Sequence, residues 1–186
     1  GRSNGLPVNK ILCSTNVNDV LRRFIETGEL APEKTLPSVA PSMDIQIPSS
    51  LERLIYDFTD GASKFYDTLL KENKAKLSDD KIIELNHIFS STTFLDDDIK
   101  SEIKSLYEEF GSIFDPHSVT SIRMALDNQD SVPTVAVATA SPEKFSNVIA
   151  PLIETSSEVE IDDIEEYLKL ENDKFVISES IKAYFS

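Results

Sequence analysis

The 186-residue sequence has few of the residues on which catalytic sites are commonly built: one cysteine, two histidines, five glycines and no tryptophan. The single cysteine, Cys13, excludes an intrachain disulfide and suits a reducing compartment, so the composition predicts a cytoplasmic protein. The five glycines stand singly along the chain, which excludes a glycine-rich phosphate loop, and there is no serine elbow.

Basic residues are also scarce, because 18 lysines and arginines stand against 33 aspartates and glutamates and leave a net charge of −15. Such a field repels phosphate backbones and anionic lipids, so we expect neither nucleic acid nor a membrane as a partner. No apolar run reaches the length of a membrane span, and no charged-then-apolar leader opens the chain. An apolar content of 40% is enough for the core of one or two domains.

Predicted strands are few. The stretches VNKILCST (8–15) and VPTVAVAT (132–139) are unbroken and apolar, which is typical of strands covered by helices on both faces. A sheet commonly has about five or six strands. The sequence therefore predicts a helix-rich part of an α/β protein, with two or three strands here and the others elsewhere.

Helix start and stop signals fill much of the remaining chain. Asn18 or Asp19 is the predicted cap of VLRRFIET, and Asp115 followed by Pro116 is a strong start signal. Ser49 and Glu52 have the spacing of a capping box. Further helices are predicted at about 62–76, 79–90, 97–110 and after Ser141-Pro142, and a proline-rich loop is predicted at 32–48.

The residues with reactive side chains do not form a complete catalytic set. Cys13 and a histidine, His87 or His117, could pair in space, but a buried structural thiol is the favoured interpretation. The acidic triplet at 96–98 is better explained as a helix N-terminus than as a metal site. We therefore expect no metal site.

Small polar residues follow both predicted strands, at the place where open α/β sheets bind ligands. The first group is Ser14, Thr15, Asn16 and Asn18, and the second is Thr139 and Ser141. Capping is a sufficient explanation for Asn18 and Ser141. Thr139 is different, because it ends the predicted strand and does not precede the helix directly.

Four stretches, taken in order, resemble the C-terminal half of the bacterial and fungal threonine synthase family. The first is GLPVNKILCSTNVNDVLRRFIETGE, and the second is APSMDIQIPSSLERLIYDF, which is similar to the family's SPSMDI…SNFERLL. The third is FDPHSVTSIRMA, which is similar to L-D-P-H-T-A-V-G. The fourth is VAVATASPEKF, which is similar to a strand ending T-A-H-P-x-K-F. The resemblance covers residues 5–152, including a helical stretch at about 50–110. It implies the tryptophan-synthase-β fold, known as fold-type II of the pyridoxal phosphate (PLP) enzymes.

The resemblance also implies chemistry. The family uses PLP to convert O-phosphohomoserine and water into threonine and phosphate, and Thr139 matches the threonine that binds the pyridine nitrogen. The Schiff-base lysine and the phosphate loop lie upstream in the family, so this chain holds no catalytic residue of that kind and is expected to be inactive alone. Possible active-site lining comes from Ser42, Asp44, Asn16, Asn18 and His117.

Two matched positions depart from the family. Ser141 replaces the histidine of T-A-H-P, and Ser121 replaces the glycine of T-A-V-G, where close helix approach would favour glycine. Residues 153–186 form a predicted acidic helical tail that matches no family motif. The alternative to a portion of an enzyme is an acidic α/β interaction module that keeps this fold without its chemistry.

Overall fold

The computed structural model describes residues 5–59, 61–129 and 132–153. A parallel pair of strands lies at its centre, formed by β1 (Ile11–Thr15) and β4 (Phe89–Thr93). A short antiparallel pair is formed by β2 (Glu29–Leu30) and β3 (Ala75–Lys76). The helices are α1 (Val20–Thr27), α2 (Leu51–Phe58), α3 (Ser63–Glu72), α4 (Asp79–Ile88), α5 (Asp96–Phe110), α6 (Pro116–Asp127) and α7 (Ser146–Ile149), with 3₁₀ turns at Pro41–Met43 and Pro142–Phe145.

Two hydrophobic cores lie on the two faces of the β1–β4 pair. One contains Phe24, Ile55 and Leu85 from α1, α2 and α4, and Phe89 of β4 packs against it. The other is built mainly from α5, α6 and α7, and Leu12 of β1 packs against it. Ile11 and Phe89 are register partners, and successive side chains alternate between faces, so Leu12 and Phe89 point to opposite sides. The expectation of a first strand with helices on both faces is therefore confirmed.

The second predicted strand is wrong in this structure. Residues 132–139 form no strand among the described residues, and Val135 and Val137 are 78% and 66% exposed. A strand needs a hydrogen-bonded neighbour, and β1 pairs with β4 in the described part of the chain. Residues 132–139 therefore have no regular secondary structure and contact α6 through Val137 and Thr139, although their composition favours a buried strand.

β4 was not predicted, and residues 89 and 90 were assigned to a helix that ends at Ile88 in the structure. Its sequence, FSSTT, has one large apolar residue and no unbroken apolar run. Its place in the sheet comes from main-chain pairing along the whole of β1 and from α1 packed over it. Neither contact has a local sequence signal.

The helix start signals were partly right. Asp115 is the N-cap of α6 and accepts hydrogen bonds from the main-chain N–H groups of His117 and Ser118. The capping box at Ser49 and Glu52 is wrong, because α2 begins at Leu51 and its N-cap residue makes no side-chain cap hydrogen bond. The N-cap of α1 is Asp19, and its carboxylate binds Arg22 and Arg23.

Gly28 ends α1 in the left-handed region, with φ of 70°, and a Cβ there would lie 2.3 Å from Ile82 Cγ1. We expect Gly28→Ala to lower the free energy of unfolding by about 2 kcal/mol, because the left-handed conformation and the displacement of Ile82 both cost energy. Gly111 is the matched control, since its φ is 65° and its Cβ would meet nothing within 4 Å. Gly111→Ala should cost about 1 kcal/mol in urea unfolding, and equal losses would contradict the close approach of Ile82.

The predicted acidic tail at 153–186 lies outside the described residues from position 154 onward, so its helical assignment stays a prediction. Within the described ranges, no helix has the length and apolar character needed to cross a membrane.

Candidate functional site

Asn16 and Asn18 follow β1 directly and are buried, and both bind the loop at 32–48. Asn16 Nδ2 donates to Asp44 Oδ1 at 2.6 Å and to Ser38 Oγ at 2.7 Å. Asn18 Nδ2 donates to Asp44 Oδ1 at 3.0 Å and to Leu36 O at 2.8 Å. The capping interpretation of Asn18 is therefore wrong, because its side chain fixes the loop and leaves α1 uncapped.

Asp44 is the common acceptor of this first cluster, which consists of Asn16, Asn18, Ser38 and Asp44. Its Oδ1 also accepts from Ser38 Oγ at 2.6 Å, and its Oδ2 accepts from Ser38 N at 3.1 Å. Both carboxylate oxygens are thus engaged inside the protein. The bonds join the end of β1 to the loop that carries Ser42, so two of the four family-like stretches meet here.

A second cluster lies at the start of α6 and consists of Asp115, His117 and Ser118, all buried. His117 Nδ1 lies 2.8 Å from Asp115 Oδ1, and Ser118 Oγ donates to Asp115 Oδ2. Burial raises the pKa of Asp115, but hydrogen bonds from His117 and Ser118 lower it more, which leaves the pKa below its ordinary value. Asp115 is therefore a buried carboxylate anion at neutral pH.

The second cluster reaches both neighbouring stretches of the site. His117 Nε2 accepts from the main-chain N–H of Ser42 at 3.1 Å, and Ser118 Oγ accepts from the main-chain N–H of Thr139 at 3.1 Å. The side chains of Ser42 and Thr139 are themselves on exposed residues. Two exposed residues with hydroxyl groups, Ser42 and Thr139, are therefore held through their main chains by the buried polar residues of the second cluster.

The remaining polar residues at the strand ends tie elements together. Ser14 Oγ lies 2.8 Å from Thr120 Oγ1 of α6, and Thr15 Oγ1 lies 2.9 Å from Thr93 Oγ1 of β4. Ser141 precedes the 3₁₀ turn at Pro142–Phe145 without a side-chain cap hydrogen bond, so its capping interpretation is also wrong.

Ser121, where the similar family motif has glycine, fits beside its neighbours. Its Oγ donates to Ser118 O at 2.8 Å and lies 3.4 Å from Val137 O. The extra hydroxyl thus adds a contact between α6 and the stretch that carries Thr139.

Two residues of the site were missed as site residues by the sequence reasoning, namely Asp115 and Ser118. Asp115 had a signal, because an aspartate before proline marks a helix N-terminus, but that signal says nothing about which other groups the carboxylate binds. Ser118 had none, since its bond to Thr139 N joins residues 21 positions apart.

Cys13 is not arranged as a nucleophile. Burial raises the pKa of its thiol to about 11, so the thiol stays protonated at neutral pH.

Among the described residues, no group of three or more His, Cys, Asp or Glu side chains could hold a metal ion.

Comparison with known proteins supplies the context for this geometry. No protein-family model matches the chain. Threonine synthase from Pseudomonas aeruginosa is 35% identical to it over 154 residues, a match that covers 80% of this chain and 33% of the relative. The chain thus spans about one third of the length of that curated relative.

Solved structures agree with the sequence match. The crystal structure of yeast threonine synthase has a TM-score of 0.79 and 25% identity, and the similarity covers 87% of this chain and 36% of the yeast chain. PLP-bound threonine synthase from Brucella melitensis has a TM-score of 0.76 and 26% identity over 88% of this chain and 40% of its own. The predicted fold class and resemblance are confirmed: this chain is a homologue of threonine synthases over about four fifths of its length and has the corresponding part of their fold-type II structure.

Proposed function

We propose that this chain supplies part of the active site of a PLP-dependent threonine synthase, a carbon–oxygen lyase acting on O-phosphohomoserine. The reaction consumes water and releases threonine and phosphate. Homology to threonine synthases and the PLP in the Brucella structure support the proposal. The observation that carries it is the exposed Thr139, which is anchored through its main chain to α6 at the position that matches the family's ring-nitrogen ligand.

The residues at Thr139 fit this part of the cofactor. Thr139 Oγ1 makes no hydrogen bond to another described residue, so its proton can be donated to an acceptor such as a pyridine nitrogen. The nearby carboxylate of Asp115 is buried and bound to His117 and Ser118. The group that would face the ring is therefore a neutral hydroxyl.

PLP supplies an electron sink for the carbanion formed from the substrate. Thr139 would orient the ring by donating its hydroxyl proton in a hydrogen bond to the ring nitrogen. A neutral hydroxyl carries no negative charge to stabilise a pyridinium, as an aspartate would, so the nitrogen would stay largely unprotonated. Ser42, on the neighbouring loop, is the polar group proposed to line the substrate side. Asp44 fixes that loop from within.

The covalent lysine and the phosphate loop are proposed to come from another part of the same protein, as the resemblance implies. A reducing cytosol is the proposed location, which suits the free Cys13 thiol. The alternative of a non-catalytic acidic interaction module finds no support in the relatives named above.

A graft tests the proposal. Residues 5–153 would replace the matching third of Pseudomonas aeruginosa threonine synthase, with the unaltered enzyme as reference. We expect the graft to show the visible absorbance of bound PLP and to release phosphate from O-phosphohomoserine. The 186-residue chain mixed with PLP should show neither. A soluble, folded graft that binds PLP but releases no phosphate would overturn the proposed activity.

Thr139→Val in this graft keeps the branched shape and removes the hydroxyl. We expect kcat to fall about tenfold, because one neutral hydrogen bond contributes about 1 kcal/mol net and strengthens as charge develops. PLP should remain bound. Thr134→Val, in the same exposed stretch, is the control and should leave kcat unchanged. Equal rates for the two variants would mean that the Thr139 hydroxyl does not contact the ring.

A further inference from the structure

The stretch that carries Thr139 needs an anchor, because residues 132–139 have no strand partner in the described part of the chain. At Thr139 itself, the anchor is the bond from its main-chain N–H to Ser118 Oγ, at 3.1 Å. Ser118 Oγ has one proton, and it is donated to Asp115 Oδ2. A hydroxyl that donates to a carboxylate on one side keeps its lone pairs for the other side, so Asp115 orients Ser118 to accept from Thr139.

A second anchor holds Ser42 in a similar way. A main-chain N–H can only donate, so the bond from Ser42 N to His117 Nε2 places the imidazole proton on Nδ1. Nδ1–H then donates to Asp115 Oδ1 at 2.8 Å. The His117 ring is held further by Phe145, whose ring centroid lies 4.7 Å away in an edge-on arrangement.

We propose that Asp115, His117 and Ser118 are positioning residues that place Thr139 and Ser42 relative to each other from a single buried carboxylate. Asp115 is 1% exposed, and each of its two oxygens binds one arm of the network. In one arm, Oδ1 binds His117, which holds Ser42; in the other, Oδ2 binds Ser118, which holds Thr139. None of the three residues needs to touch a ligand. The placement is inferred from these hydrogen bonds, whereas its value for catalysis rests on the proposed function.

The two arms lead to selective effects. Loss of the Ser118 hydroxyl removes the acceptor of the Thr139 amide and leaves the Ser42 amide bonded. Loss of the His117 imidazole does the reverse. Loss of the Asp115 carboxylate releases the orientation of both acceptors. If these residues only stabilised the start of α6, their variants would not affect the amide of Thr139 and the amide of Ser42 differently.

Amide exchange in the full chain, measured by NMR on ¹⁵N-labelled protein without PLP, tests this directly. Ser118→Ala should speed amide exchange at Thr139 about fivefold to tenfold and leave exchange at Ser42 unchanged. A change of this size is typical of the loss of one hydrogen bond. Ser118→Thr keeps the hydroxyl and should preserve the protection of Thr139.

His117→Phe keeps a ring against Phe145 and removes the acceptor, so exchange should speed at Ser42 and not at Thr139. Asp115→Ala should speed both. The amides of Ile99 and Ile103 in the α5 core report global unfolding. If Asp115→Ala does not fold, the two single-arm variants decide the question.

The proposal is overturned if Ser118→Ala leaves Thr139 exchange unchanged, or if Thr139, Ser42 and the core amides all accelerate together in either single-arm variant. In the graft, Ser118→Ala should also shift the absorbance of bound PLP and lower kcat more than it changes KM. Selective amide effects combined with an inactive graft would leave the positioning role standing and reject the proposed function. Selective amide effects with a normal PLP spectrum and kcat would reject the catalytic value of the placement.

Discussion

Asp44→Ala is expected to lower the free energy of unfolding by about 3 kcal/mol, because buried donors lose a shared, charged acceptor. The affected donors are the side-chain amides of Asn16 and Asn18 and the main-chain and hydroxyl groups of Ser38. Some of these donors keep other partners, such as Leu36 O for Asn18, which limits the loss. Urea unfolding followed by circular dichroism measures it.

Asp97→Ala is the matched control for this variant. The Asp97 side chain is 99% exposed at the start of α5 and lies 3.8 Å from Lys100 Nζ. Its removal should cost no more than about 0.5 kcal/mol. Similar losses for the two variants would mean that the first cluster does not hold the loop. The resemblance made Asp44 a possible active-site lining residue, whereas its engaged carboxylate oxygens favour a structural role.

The parts of the fold that the sequence predicted correctly are those with a local cause. β1 was found from its apolar run, although it begins at Ile11, three residues later than predicted. The start of α6 was found because Asp115 and Pro116 satisfy the first turn within the chain itself. The end of α1 also has a local cause, because Gly28 readily adopts the left-handed conformation that closes a helix.

The errors in the strands have a common physical cause in partners that lie far away in the chain. β4 is polar, and its pairing with β1 joins residues 78 positions apart. Residues 132–139 have the composition of a buried strand, yet composition cannot supply the neighbouring strand that would bury them.

The candidate site was reached only in part for the same reason. The resemblance suggested Thr139, Ser42 and Asp44 as site residues, but not the bonds among the stretches that carry them. Ser42 N and His117 Nε2 are separated by 75 positions, and Asn16 and Asp44 by 28. Such pairs follow from the folded path of the loop at 32–48, which no periodicity or cap signal specifies.

Asp115→Asn is expected to lower the free energy of unfolding by about 3 kcal/mol at neutral pH, a loss typical of breaking a buried charge-assisted network. The amide can still accept from the first turn of α6, but it presents an N–H₂ group to one of two donors, the Ser118 hydroxyl or His117 Nδ1–H. The loss is therefore assigned to the charge and the side-chain hydrogen bonds of Asp115, and not to the cap. Asp97→Asn, at an exposed site, is the control.

The pH dependence of that difference gives a second test. The folded-state pKa of Asp115 lies below its ordinary value, so the unfolded chain takes up the proton first as the pH falls. The stabilisation is complete above the unfolded pKa, roughly 3.9, and is lost as the pH falls from there through the folded pKa. Wild type and Asp115→Asn should therefore converge in stability under acid conditions. Asp44→Ala is not suited to this comparison, because it differs from wild type in packing and hydrogen bonds as well as in charge. A difference between wild type and Asp115→Asn that stayed constant from neutral pH to acid would show that the charge of Asp115 does not stabilise the fold, and would leave the N–H₂ group of the variant, placed against a donor, to explain the loss.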